Sequence, residues 1–394
     1  MTDSVAGTGI PTDYLPGYET ARRIDADLAG LYVAHTMIGD PLMDDLLDEL
    51  DGMDDRDVHR LIQAGMEQQH DKLKGAPRAL RDFFVDSPPP DPSWHDPSLF
   101  APGVRAFQRQ APKVLAAFVA GVLIDGFSTL IAKSFVATGR IFDNGVWRLK
   151  QNNRQQMEIF FPGGLERYGD GWKLSVRIRF VHGQVRRLLA QSDDWDAGAW
   201  GVPISAAHLG YSLACFSART VIHSKSLGAR FSPEEEEGFL AVWRYAGHLM
   251  GIPDSIIYTD ESDALNIYRV GGMCEPPPTM DSIVMTNALV NSAPLVAGIE
   301  DREEREKLVK KIIYPVSRAL VGHERADQLN FPRRGNLLTL PLYRLGQRVE
   351  AAKSRFKGDA AAGFSTLLAA SAYEDAGLSY RLPTHVHDEE SKPW

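Results

Sequence analysis

The chain is poor in cysteine: Cys215 and Cys274 are its two thiols in 394 residues. That excludes a disulfide framework and any four-cysteine metal site, leaving one bridge as the most these residues can form. Basic charge is also short. Forty-three Lys and Arg stand against 52 Asp and Glu, a net charge of −9, so nucleic acid is not an expected partner. No glycine-rich dinucleotide fingerprint, phosphate loop, H-E-x-x-H pair or G-x-S-x-G elbow occurs, which removes the commonest nucleotide, zinc-protease and serine-hydrolase readings. A di-iron bundle needs Glu-x-x-His on two helices, and Glu67–His70 matches once only. His385 and His387 lie in a charged C-terminal tail and read as tail residues. The first twenty residues have no basic region followed by an apolar run and no twin arginine, the pattern of a cytoplasmic chain without a secretory leader.

Helical patterning is abundant. Asp40-Pro41 reads as a helix start, with proline at the first helical position. Ser232-Pro233-Glu234-Glu235 starts another: serine caps, proline follows, and the acidic run suits the positive end of the helix dipole. Val114–Ala132 approaches the length of a membrane span, but Asp125 interrupts it and Lys113 and Lys133 flank it. It reads as a buried central helix, with a membrane span as the weaker alternative. The stretches 55–73, 205–225, 281–299, 301–321 and 336–356 are helical in pattern, and no long alternating strand pattern is present. The expected fold is mainly α: one helical domain over residues 19–375, a flexible arm over 1–18 and a polar tail over 376–394.

One stretch stands out chemically. In Trp172–Gln191, Leu174, Ile178, Val181, Val185, Leu188 and Leu189 recur at helical spacing, and His182 falls on the stripe between Ile178 and Val185. A lone imidazole on an apolar face is usually a core histidine hydrogen-bonded to main chain or water. A neutral, buried imidazole is also a natural axial ligand for haem iron. His208, His223 and His248 read first as structural histidines and second as a further axial ligand. Arg179, Arg186 and Arg187 are close enough to His182 to reach the propionates of such a group.

The ordered set Asp40-Pro41, Gly139-Arg140, Arg148, Pro162-Gly163-Gly164, Val176–His182, Val185-Arg186, Trp200–Ile204, Phe216-Ser217, Phe231–Glu234, Trp243 and Gly251-Ile252-Pro253 resembles the family of bacterial latex clearing proteins (rubber oxygenases) and fungal MpaB-type oxygenases. The resemblance implies a compact, globin-like helical domain around a buried haem pocket, with haem b as cofactor and His182 as the proximal iron ligand. Arg148, 34 residues before His182, would lie on the distal side with Gln151 and Asn152, and Arg179 and Arg186 would contact the cofactor. Gln151 and Asn152 replace the lysine and threonine of the rubber-cleaving members. Their catalytic glutamate would fall near Ala132-Lys133, where no carboxylate stands. The implied activity is oxygenation, with dioxygen, of an apolar unsaturated substrate such as polyisoprene, a terpenoid or a lipid. The alternatives are a haem protein without oxygenase activity (carrier, sensor or peroxidase-like) and a helical scaffold that binds no haem.

Overall fold

The computed structural model describes residues 9–137 and 145–357. Helices account for all of its regular structure, and no strand occurs among the described residues. The central element enters at Phe100, runs to Ala117, widens through a π turn at Phe118–Val122 and continues as Leu123–Phe127. It starts well before the Val114 expected from the sequence. By length and composition Pro97–Phe127 is the one membrane-span candidate among the described residues, and 83% of its apolar window is buried inside the protein. Burial within the fold therefore accounts for its apolar composition.

The most extensive helix pairing sets Phe100–Ala117 against Pro233–Leu249. Two glycines permit it. A Cβ on Gly103 would sit 2.3 Å from the carbonyl carbon of Gly238, and one on Gly238 would sit 2.6 Å from the Gly103 nitrogen. The backbones approach so closely that any side chain at either position must force them apart. Phe107, Phe160, Phe239 and Trp243 fill the neighbouring core. The Pro233 helix begins as expected: Ser232 Oγ accepts from the Glu235 N–H, and the Glu235 carboxylate accepts from the Ser232 N–H. Pro41–Glu49 is likewise capped by Asp40, which accepts from the Met43 N–H at 3.3 Å.

Two sequence expectations need correction. The loose arm was expected to reach Tyr18, yet Thr12–Tyr14 and Leu15–Ala21 are helical and Tyr14 is fully buried; a phenol hydrogen-bonded inside the core anchors the chain from Pro11 onward. The helix expected over residues 55–73 stops at Met66, where Gln68 takes a positive φ of 57° and turns the chain into a short 3-10 segment at His70–Leu73. Gly139-Arg140 and the tail over 376–394, with His385 and His387, lie outside the described residues.

Candidate functional site

The helix Asp170–Ala190 carries His182. On it Ser175, Ile178, Val185, Arg186 and Leu189 are buried and surround His182 on one face. Three arginines fasten this helix to Pro41–Glu49 and its cap. Arg179 grips Asp40 through two parallel bonds, Nε to Oδ2 at 2.6 Å and Nη2 to Oδ1 at 2.8 Å. Arg186 donates from Nε to Asp44 at 3.0 Å and from Nη1 to the Ile204 carbonyl at 3.2 Å. Arg187 donates to the Leu47 carbonyl and to Asp51. Between them Gly183 lets Met43 and Leu47 pack directly on the helix. Arg179 and Arg186, read from the sequence as cofactor contacts, are thus committed to carboxylates that hold two helices together, because an inward-facing guanidinium needs a charge partner.

His182 has no such partner. Its Nδ1 is buried without a hydrogen bond, and the ring makes none to any described residue. The residue as a whole is half-buried. Burial lowers its pKa to about 4, helped by the positive Arg186 and opposed by Asp40. The imidazole is therefore neutral at neutral pH, with a free lone pair.

The preceding helix, Gly145–Ile159, folds back on the His182 helix through the Phe161–Gly169 turn, closed by the Trp172 N–H donating to the Gly164 carbonyl at 2.8 Å. Arg148 sits in its second turn, and its side chain lies outside the described residues. Gln151 and Asn152 are half-buried. Gln155 is buried and donates to Met250 Sδ at 3.3 Å, which points that face toward the end of the Pro233 helix. Asn153 and Gln156 are fully buried, and neither the nitrogen nor the oxygen of either amide has a partner among the described residues. Sequence reasoning missed this pair; two amides on the Leu149–Phe160 stripe were the available signal. Ala132 is buried, and Lys133 pairs with Asp281 at 3.1 Å while lying 4.2 Å above the Trp200 ring.

Two buried carboxylates were also not foreseen as centres. Asp125 receives His223 Nε2 and Arg219 Nε on Oδ2, at 2.9 and 3.1 Å, and the Tyr268 hydroxyl on Oδ1 at 3.2 Å. Burial pushes Asp125 up, but the His223 hydrogen bond and the Arg219 and Arg325 charges outweigh it and hold the carboxyl below its ordinary range. Burial keeps His223 neutral, so its Nε2–H donates a hydrogen bond to an ionised Asp125 while the arginines balance the charge. Glu275 receives the Tyr32 hydroxyl at 2.7 Å and the Leu130 N–H at 3.0 Å, with His208 at 3.5 Å. His208 also shares a hydrogen bond with Tyr14 at 2.8 Å. His248 lies 3.8 Å from Asp254. Each of the three further histidines therefore has a structural partner.

Among the described residues no group of three or more His, Cys, Asp or Glu side chains is arranged to hold a metal ion. The unpartnered imidazole is a single donor, which suits a metal already held by a macrocycle better than a bare ion.

Residues 97–351 match the family model described as "ER-bound oxygenase mpaB/B'/Rubber oxygenase, catalytic domain". A rubber oxygenase of Streptomyces sp. (strain K30) is 27% identical over 263 residues, which is 64% of this chain and 58% of that protein. The chain thus spans under two thirds of that relative's length. The solved latex clearing protein in its closed state superposes with a TM-score of 0.65 over 89% of this chain and 92% of the other, at 20% identity. That likeness is one of fold.

Proposed function

Because the chain belongs to the family of mpaB/B' and rubber oxygenase catalytic domains, we propose that it is a haem b-dependent oxygenase acting with dioxygen on an apolar unsaturated substrate, with His182 as the iron ligand. The observation that carries this reading is the His182 ring: neutral and without a hydrogen-bond partner among the described residues, on the helix where the resemblance expects the ligand. A histidine kept for structure alone would have found a hydroxyl or a carboxylate, as His208 and His223 have. The residues present fit the group. His182 offers a nitrogen, and the amides of Asn153 and Gln156, unpaired among the described residues, leave donors and acceptors open.

When bound, haem supplies one-electron redox chemistry toward dioxygen. The chain's own residues do the rest. His182 would hold the iron through a lone pair that burial keeps unprotonated at neutral pH. Asp40 and Asp44 fix the His182 helix through Arg179 and Arg186, so the helix cannot turn that face away without breaking two ion pairs. Gln151 and Asn152 donate and accept hydrogen bonds but exchange no protons near neutral pH. Lys133 is engaged by Asp281, so the position that carries a carboxylate base in rubber-cleaving members offers none here.

That last feature, with Gln151 in place of a lysine, favours a second reading: a haem protein that carries or senses rather than oxygenates. Two measurements separate the readings. Expression with haem should give a protein with a Soret band; its absence removes both. Oxygen consumption should then rise with at least one of a panel of alkenes, squalene and carotenoids. A haem-loaded protein inert toward the whole panel decides for the carrier or sensor.

A further inference from the structure

The helix Thr339–Lys357 has two different faces. Leu340 and Tyr343 rest on a small cluster made by Ala116, Ala117, Val316 and Leu320. Advancing 100° per residue, the opposite face carries Leu338, Leu342, Leu345 and Val349. These are 59%, 60%, 56% and 43% exposed, and Leu337 just before them is 95% exposed. Spacings of four, three and four residues put the four on one line along the helix. So regular a row of leucines left open by the described residues is a candidate contact surface.

Charge identifies the occupant. From Gln328 to Val349 there is no Asp or Glu, while Arg333, Arg334, Arg344 and Arg348 fall in that stretch, in a chain whose net charge is −9. Arg333 pairs with Asp327 at 3.4 Å, which leaves Arg334 and Arg348 as the exposed cations of the border. We propose that this leucine row and its arginine border are a membrane-docking face, which seats the helix in the headgroup region of an anionic lipid surface. An interfacial helix needs an apolar stripe on one side and cations that reach phosphate along its edge, and both are present. A second copy of the chain fits less well. A two-fold contact along the row would bring each arginine border against its own twin. Four positions are also fewer than a stable coiled-coil seam requires. The face is separate from His182 and stands without the haem reading. Combined with that reading, it would place the oxygenase where apolar substrates partition.

The test is co-sedimentation of the full chain with vesicles of phosphatidylcholine containing phosphatidylglycerol, beside vesicles of phosphatidylcholine alone. The expected result is binding to the anionic vesicles that weakens with salt and is much weaker on the zwitterionic ones. Leu342→Asp with Leu345→Asp should lower the bound fraction at least tenfold, and Arg334→Glu with Arg348→Glu should lower it severalfold. All these positions are exposed, so far-UV dichroism and thermal unfolding should match wild type. Binding that survives the double leucine variant overturns the proposal. So does wild-type protein that stays in the supernatant with anionic vesicles. In that case sedimentation equilibrium shows whether a dimer lost in the leucine variant is the true occupant.

Discussion

His182 is a base held neutral by its surroundings, and that has a cost in acid. Its folded pKa of about 4 lies below the ordinary 6.5. Between those values the unfolded chain holds a proton that the folded chain does not. Stability therefore rises with pH across this window, is fully present above pH 6.5 and is lost below pH 4, by about 3 kcal/mol. Urea denaturation of the haem-free protein at pH 5 and pH 7 should show this difference shrinking in His182→Gln; an unchanged difference would mean that burial does not hold the ring neutral. In the haem-supplied protein, His182→Ala should abolish the Soret band while leaving the helical dichroism, and full haem retention would show that another ligand holds the iron. Asn153 makes a converse prediction. Its amide is buried without partners among the described residues, so Asn153→Leu should stabilise the haem-free protein by about 1 kcal/mol or more and weaken haem retention. A loss of stability instead would reveal an internal partner such as ordered water.

At the scale of helices, local chemistry and close packing make separate contributions. Ser232→Ala removes one half of a reciprocal cap and should cost about 1 kcal/mol, with Ser232→Asp restoring most of it in the same thermal melt. Gly103→Ala should cost more, on the order of 2–3 kcal/mol, because the added methyl would meet the Gly238 backbone at 2.3 Å and no side chain there can move aside. The cap was legible in the sequence, since serine, proline and glutamate act on their own helix. The glycine crossing was not, because it depends on which other helix arrives and how near. The π turns at Phe118–Val122, Cys215–Arg219 and Ile267–Gly271 were equally hidden. Two of them re-aim Arg219 and Tyr268 onto Asp125, three residues beyond the third, which matches the tendency of such turns to collect at specialised sites.

Across the whole molecule, Glu275 ties distant parts of the chain. It takes hydrogen bonds from Tyr32 and from the Leu130 backbone, and through His208 it connects to Tyr14. Glu275→Ala leaves those donors buried without an acceptor, so the N-terminal helices should loosen together. Hydrogen exchange in residues 12–35 should accelerate at least tenfold while the Pro233–Leu249 helix stays protected. Protection unchanged in both would reduce Glu275 to one contact among many.

The helical class, the Ser232 and Asp40 caps and the position of His182 on a buried stripe were all readable from residue order, because each depends on neighbours within a few positions. The partners were not. Arg179 and Arg186 looked available to a cofactor until Asp40 and Asp44, about 140 residues earlier in the chain, were found to hold them. Tyr14 looked like part of a loose arm until His208 claimed its hydroxyl. Three histidines gained partners and His182 gained none among the described residues, and the reason is geometric. Spacing along a helix says which face a side chain occupies, but whether a carboxylate, a carbonyl or an internal space meets that face is settled by chain segments that approach from far away in the sequence.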